Sequence, residues 1–339
     1  MNRRKFFKAA ALTAVATQIT GCGTDSTNTN TVTATDTSPA TLYYEFRIAK
    51  PEIAAMMSSM TAQATALEAK TGYLSMSVKQ LIGDSTMVMN LNNSLKGILS
   101  SAYIDAANLG LRTFVFTLFI RFDTLANLEA SGAKSWFTNT IDPRLHAYGK
   151  DTTGTVVKKS AVFDYYSGTY KTVGAGDANK IYKTDAEIRG FLKNQKDTAN
   201  ATFQAIPADG SVSGASIIVE NHVTIDAKNT ANMNQVVLGL MQTAQTTYQP
   251  STNPTNGTSG TLADTNYKKA VTTEILQNIA VVGGTRNYIM HGVWESVADH
   301  ENSHIDARFI KAAGPVGAYV IAGPVEPFYQ TMLVHNTTV

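Results

Sequence analysis

The sequence predicts an α+β protein in which the order β-α-β-β-α-β occurs twice. Alternating apolar stretches are separated by stretches with apolar residues at helical spacing, and the same order returns after residue 215. The 339 residues are enough for two such units with insertions. We therefore expect a first unit over 41–173, a connector over 174–214 and a second unit over 215–339.

Four alternating strands and two amphipathic helices predict the first unit. Its strands are expected at 42–48, 73–81, 112–122 and 161–173, and its helices at 53–70 and 123–141. Residues 86–91 are expected either to extend the second strand or to form a partner strand, and a helical insertion is expected at 92–109 before the third strand. The connector is expected to hold one helix, over 185–196, with Thr184 as its N-cap.

The second unit repeats this order. Its strands are expected at 216–225, 272–282, 287–295 and 328–334, and its helices at 232–248 and 297–313. A polar loop over 250–264 is longer than is usual inside a compact domain. Two copies of this order correspond to two ferredoxin-like split units.

The N-terminus has the features of an export signal. Arg3 and Arg4 precede a short apolar run that resembles a twin-arginine signal and is too short to span a bilayer. The run ends at Cys22 in a sequence that resembles the lipobox of bacterial lipoproteins, where the cysteine takes a diacylglycerol. The alternative is an ordinary cysteine in a cleaved leader. We expect a signal peptide over 1–21 and a disordered, Thr- and Asn-rich tether over 22–40.

These features predict a lipid-anchored protein on the periplasmic side of a bacterial envelope. No Asp follows Cys22, which favours the outer membrane slightly. The expected partners are the lipid bilayer, the twin-arginine export machinery and a small-molecule ligand. Removing the leader takes away four basic residues and no acidic one, so the formal charge changes from +2 to −2. Without a basic stripe, nucleic acid is not expected as a partner, and a single cysteine excludes disulfides.

One stretch of the second unit resembles a known family. The segment 291–296, HGVWES, is followed by a helix with Phe309, by Gly323-Pro324 and by a closing strand. It resembles the antibiotic-biosynthesis-monooxygenase-like domains of the dimeric α+β barrel superfamily, and residues 112–144 resemble the same element more faintly. The resemblance implies two sheets packed against each other as a barrel, either within a fused chain or in a homodimer. It also implies pockets between each sheet and its helices, or inside the barrel.

The resemblance further implies binding, and in the enzymatic members oxidation, of a small planar or aromatic molecule without a tightly bound organic cofactor. Haem is an alternative cofactor, because haem-degrading members use an Asn on the first strand, where this chain has Asn221. Their Trp and His on the second helix correspond here to Ser303 and to Ala313 or Gly314, so that set is incomplete. A non-catalytic ligand-binding envelope lipoprotein is the competing interpretation.

Alternation of side chains selects further candidate residues. Asn221 and His222 are neighbours on one strand and must face opposite sides, and Asn221 shares the more apolar side. Asn221 is therefore a catalytic candidate. Trp294, Tyr44 and His291 are candidate ligand-binding residues, with His291 and Trp294 on opposite faces of their strand.

His300, Glu301 and His304 form an H-E-x-x-H pattern, the spacing of zinc peptidases. The polar neighbours of the two histidines favour a surface or pocket-edge pair on a solvated helix face. Glu326 is a conceivable third ligand, although prolines flank it. His300 and His304 are retained as catalytic candidates. No metal is expected in the leading interpretation, and the alternative is a zinc-dependent enzyme that uses His300, Glu301 and His304.

Overall fold

The computed structural model describes residues 36–84, 109, 112–145, 147–150, 153–158, 166–177, 180–195, 217–246, 269–295, 299–300, 303–304 and 306–338. Arg3, Arg4 and Cys22 lie outside the described residues, as do the predicted strand at 86–91, nearly all of 92–109, the loop at 250–264 and Glu301. Within the described part of the chain, no helix has the length and apolar character needed to cross a membrane.

The first unit has its predicted elements in the predicted order, with two differences: the helix expected over 123–141 is divided, and a hairpin that was not predicted follows it. Its elements are β1 (Ala40–Ala49), α1 (Lys50–Glu68), β2 (Tyr73–Asp84), β3 (Thr113–Phe122), α2 (Leu125–Ala130), α3 (Ala133–Trp136), the hairpin β4 (Ala147–Lys150) and β5 (Val156–Lys158), and β6 (Gly168–Asp177). The last strand extends past the expected boundary at 173. A short strand β7 (Lys180–Tyr182) follows, and α4 (Asp185–Lys193) begins at the predicted cap, Thr184, which forms a capping box with Glu187.

The second unit repeats the order with one addition. Its elements are β8 (Ile217–Asp226), α5 (Thr230–Thr246), β9 (Thr272–Asn278), β10 (Thr285–Trp294), α6 (Ala307–Gly317), β11 (Val320–Val325) and β12 (Pro327–Asn336). Strand β11 was not predicted. The continuous helix expected over 297–313 is wrong, because Asp306 accepts a hydrogen bond from the Arg308 N–H and caps a separate helix from Ala307.

Strand pairing confirms the α+β barrel. The first unit has the strand order β6-β1-β3-β2, and the second has the corresponding order β12-β8-β10-β9. The pairs β2–β12 and β6–β9 join the two sheets at both edges. Eight antiparallel strands therefore form a closed barrel in which each unit supplies half of the wall. The outer strands β7 and β11 pair with β6 and β8.

The two units can be compared position by position. Strands β1 and β8 each have ten residues, and each pairs over its whole length with the third strand of its own unit. Tyr44 is opposite Leu118, and Asn221 is opposite Met290, at the same step of the two ladders. Tyr44 and Asn221 thus occupy equivalent positions of the two units.

Alternate side chains give the wall two different faces. On the outer face, helix α1 buries Ile53, Met56, Met60 and Leu67 against the first sheet. On the inner face, polar side chains meet across the barrel. Tyr43 donates to Glu220 at 2.9 Å, and the guanidinium of Arg121 pairs with Glu274 at 2.8 Å, with both side chains fully buried. The interior of the barrel is therefore filled by side chains, and some of these side chains are ionisable.

Candidate functional site

A cleft lies between the outer face of the second sheet and the helices α5 and α6. Its volume is about 70 Å³, measured as the space open to the centre of a water-sized sphere. The walls are apolar side chains from three strands and both helices: Val219, Val237, Met241, Ile275, Met290 and Phe309. Their arrangement follows from alternation on the strands and from the apolar stripe of α5. Such a space fits a small apolar molecule.

One end of this cleft is polar and consists of Asn221, His300, His304 and Glu326, which we call the polar end. The Asn221 amide donates a hydrogen bond to Glu326 Oε1. Glu326 Oε2 lies 3.7 Å from His304 Nε2. The rings of His300 and His304 are nearly perpendicular, at 86°, with centroids 4.4 Å apart. The three titratable side chains thus meet in an otherwise apolar space.

The backbone at Gly323 brings Glu326 to this position. Gly323 has φ 92°, and a Cβ there would lie 2.5 Å from the carbonyl oxygen of His222. Only glycine tolerates both the left-handed conformation and this close approach. As a result β11 pairs with β8 as far as Val325, opposite His222. The next residue, Glu326, then lies beside Asn221.

His300 is buried, so the expected solvated helix face is wrong. It is only 4% exposed, and its ring lies 5.2 Å from that of Trp294 and 5.3 Å from that of Phe328. Two of its polar neighbours, Ser303 and Asp306, bond to nearby backbone. Ser303 Oγ donates to the His300 carbonyl at 2.6 Å, and Asp306 caps α6. The polarity of Ser303 and Asp306 therefore reflects local hydrogen bonding and not exposure to water.

Inside the barrel, burial shifts the pKa values of several groups. Burial raises the pKa of Glu220 to about 7, against the opposing effects of the Lys79 charge and of hydrogen bonds from Tyr43 and Thr117. Burial lowers the pKa of His222 to about 3. For His291, burial and the Lys79 and Arg121 charges lower the pKa well below its ordinary value. The interior therefore favours neutral imidazoles at neutral pH.

The structure brings together only some of the predicted site residues. Asn221, Trp294, His300 and His304 line the same cleft. His291 borders the cleft, but its ring lies inside the barrel, 5.4 Å from the ring of Phe119. Alternation predicted this separation from Trp294. His222 likewise lies inside, 3.2 Å from the Tyr43 hydroxyl, on the opposite side of β8 from Asn221.

Tyr44 lies in the first unit, away from the cleft. Its ring stacks on Phe137 at 3.8 Å, with an angle of 10° between the ring planes. Because Tyr44 is equivalent to Asn221, this stack fills the region of the first unit that corresponds to the polar end of the second. The two units share a topology, but between sheet and helices the first has an aromatic stack and the second has a cleft.

Comparison with solved structures finds chains of similar overall extent. A protein described as a "putative monooxygenase" from Fusobacterium nucleatum subsp. nucleatum has 8% identity and a TM-score of 0.48, over 89% of this chain and 95% of that one. Another "putative monooxygenase", from Lactobacillus acidophilus, has 8% identity and a TM-score of 0.45, over 88% and 97%. An anthrone oxidase-like protein has 11% identity and a TM-score of 0.45, over 90% and 95%.

Family models match both units. The model of the ABM-like domain matches residues 39–127, and the model described as "CT0912-like, C-terminal domain" matches residues 173–332. The first covers most of the first unit, and the second includes the whole cleft. Comparison with curated protein sequences gives no match. The ABM-like match over residues 39–127 and the strand order support an ABM-like α+β fold, whereas the segment 291–323, where the sequence resemblance is strongest, lies in the match of the other model.

Proposed function

We propose that the chain is an exported lipoprotein whose cleft binds a small planar or aromatic molecule and oxidises it with molecular oxygen, without a tightly bound organic cofactor. The observation that carries this proposal is the cleft itself, with apolar walls and a polar end at Asn221, His304 and Glu326. Apolar walls suit flat rings, and a few convergent polar groups fix their orientation. The ABM-like fold is consistent with a monooxygenase-like reaction.

The export features of the sequence place this reaction outside the cytoplasm in our proposal. An acyl chain on Cys22 would anchor the barrel to the periplasmic side of a membrane, and the outer membrane is slightly favoured. One acyl chain holds a protein only marginally, whereas a diacylglycerol supplies two chains. The residues between Cys22 and β1 then serve as a tether. An apolar substrate could in this way be taken from the bilayer or from the periplasm.

Oxidation without an organic cofactor requires a substrate that supplies its own electrons. An aromatic ketone with an acidic methylene group meets this requirement. The methylene carbon loses two hydrogens and gains one atom of O2, the other oxygen atom leaves as water, and all four electrons come from the substrate. The polar end provides acceptors for the first proton, at His304 and Glu326, and Asn221 holds the Glu326 carboxylate in place.

A fluorescence titration tests binding. Trp294 lines the cleft, and Trp136, in the first unit, is the other tryptophan, so a Trp136→Phe background isolates the signal. We expect saturable quenching of the purified mature protein by 2-naphthol, weakened at least about tenfold by Asn221→Tyr because the larger ring fills the polar end. Tyr44→Phe, at the equivalent position, is the matched control and should leave the affinity unchanged.

Oxygen uptake tests catalysis. With anthrone as the probe, we expect oxygen consumption above the uncatalysed rate, and we expect Asn221→Tyr to lose it. Quenching without oxygen consumption would favour the alternative, a non-catalytic ligand-binding envelope lipoprotein. Equal quenching of the Asn221→Tyr and Tyr44→Phe proteins would place the ligand elsewhere and would overturn the proposal.

A further inference from the structure

We infer that His300, His304 and Glu326 form the protein ligands of a site for one divalent transition-metal ion at the polar end of the cleft. Two imidazoles and one carboxylate are a common ligand set for catalytic zinc and for non-haem iron. The inference differs from the H-E-x-x-H pattern, because its carboxylate comes from the connection between β11 and β12 and not from Glu301. A bound ion would occupy the lone pairs of His304 and Glu326, so stabilisation of the substrate anion by the ion would replace their role as proton acceptors in the proposed oxidation.

The separations fit a single ion. One ligand atom from each of the three residues lies within 4.8 Å of the other two. Bonds of about 2.0–2.2 Å to a tetrahedral ion hold two of its ligands roughly 3.4 Å apart. Glu326 Oε2 and His304 Nε2 are 3.7 Å apart, which is too far for a hydrogen bond and close to that ligand–ligand spacing. Small side-chain rotations would bring all three ligands into range.

Glu326 itself provides an independent indication. It is only 7% exposed, and Oε1 accepts a hydrogen bond from Asn221. Within the described part of the chain, Oε2 has no hydrogen-bond donor. A buried carboxylate oxygen without a donor is costly, and a cation at this point would compensate for it. Asn221 fixes the carboxylate so that Oε2 is the oxygen turned toward His304, as groups behind metal ligands often do.

The surroundings favour an ion with open coordination positions. Three protein ligands leave at least one position for water or substrate, as in catalytic sites. The carboxylate balances one of the two positive charges, so the ion would attract an anionic oxygen. The apolar walls would then hold the rings of a molecule whose phenolate or enolate oxygen binds the ion. This last step rests on the proposed function, because it requires the cleft to be the ligand site.

Zinc binding to the chelator-treated mature protein tests the ligand set. We expect one zinc ion per chain after equilibration and dialysis, and cobalt absorption bands of a site with nitrogen and oxygen ligands. His304→Ala and the near-isosteric Glu326→Gln should each weaken zinc binding by about 100-fold or more, and Asn221→Ala by about 10- to 100-fold. Circular dichroism and thermal unfolding would confirm that each variant is folded.

His335 provides the matched control. Its Nε2 lies 2.9 Å from Glu68 Oε2 on a more exposed face of the barrel, so His335→Ala removes another histidine beside a carboxylate. We expect it to retain the full stoichiometry and affinity. The inference is overturned if folded wild-type protein retains no zinc, or if His335→Ala lowers binding as much as His304→Ala.

The metal site and the proposed function can fail separately. If chelator-treated protein binds 2-naphthol but retains no zinc, the metal inference fails and the cleft remains the ligand site. If zinc binding depends on His304 and Glu326 but no planar probe quenches Trp294, the proposed function fails and the metal site stands. If both hold, zinc should change the affinity for 2-naphthol in wild type and not in Glu326→Gln.

Discussion

The guanidinium of Arg121 donates to both carboxylate oxygens of Glu274, at 2.8 and 3.4 Å, and thereby links β3 of the first unit to β9 of the second across the barrel interior. Both side chains are fully buried. Thr172 also donates to this carboxylate, at 2.9 Å. The two halves of the wall are therefore joined by a buried ion pair as well as by backbone pairing at their edges.

Loss of Arg121 should destabilise the barrel strongly. Arg121→Met leaves the Glu274 carboxylate buried without its cation, and we expect the free energy of unfolding in urea to fall by about 3–5 kcal/mol. Arg144→Met is the control, because Arg144 pairs with Glu52 where the side chains are 34% and 44% exposed. That change should cost less than about 1 kcal/mol. Similar losses in both variants would contradict the role of the interior pair.

Glu220 should make the protein less stable as the pH rises from about 4.5 to about 7. Its pKa in the folded protein is raised to about 7 by burial, so over this range the unfolded chain loses a proton that the folded one keeps. Glu220→Gln imitates the neutral form and should remove this part of the pH dependence. Urea unfolding at pH 5 and pH 8 measures it, and an unchanged difference between the two pH values would contradict the assignment.

His222 should make the protein less stable as the pH falls, which is the opposite of the effect of Glu220 and extends to lower pH. Its pKa in the folded protein is lowered to about 3 by burial, so below about pH 6.5 the unfolded chain takes up a proton that the folded one does not. Its contribution to stability is present above that pH and is lost as the pH falls toward 3. In His222→Phe, which cannot titrate, unfolding free energies from pH 7 to pH 4 should fall less steeply than in wild type.

Two glycines with the same backbone conformation should differ in their tolerance of alanine. Gly72 and Gly132 have φ of 77° and 78°, but a Cβ at Gly72 would lie 2.0 Å from Asp123 Oδ1, whereas nothing lies within 4 Å at Gly132. Gly132→Ala should cost only the conformational term, about 1–2 kcal/mol. Gly72→Ala should cost clearly more in the same unfolding assay, because it also displaces Asp123 from Asn127. Equal costs would show that the contact is unimportant.

Gly292 should control the position of the Trp294 indole. A Cβ on Gly292 would lie 2.9 Å from Trp294 Nε1, so Gly292→Ala should displace the ring, shift its emission and weaken 2-naphthol binding about tenfold. Gly239→Ala, on α5 with nothing within 4 Å of the added carbon, should leave the emission and affinity unchanged. An unshifted emission in Gly292→Ala would mean that the ring is placed by other contacts.

The sequence predicted most of the strands and helices because alternation and helical spacing are local signals. The barrel interior was harder to predict from the sequence, because residues such as Lys79, Arg121 and Glu274 look like ordinary solvent-facing positions of a half-buried sheet. Only pairing between distant edges, β2 with β12 and β6 with β9, turns that face inward. No local pattern specifies such pairing.

The polar end was predicted only in part, because local sequence patterns do not show which distant residues come together. Asn221 was selected by the apolar face that it shares, and it lines the cleft; the separation of His291 from Trp294 followed from alternation. The burial of His300 was missed because Ser303 and Asp306 indicated exposure, whereas both bond to nearby backbone. Glu326 was conceivable as a third ligand, but its approach to His304 depends on the conformation at Gly323, which residue spacing does not reveal.

The equivalence of Tyr44 and Asn221 has a consequence for how such a barrel can change. In a symmetric pair of identical chains, every substitution appears in both halves, so a residue that opens a cleft in one opens it in the other. In a single chain with two units, a substitution changes only one half of the barrel. Here the first unit is filled at this position by Tyr44 stacked on Phe137, whereas the second unit has an open cleft beside Asn221.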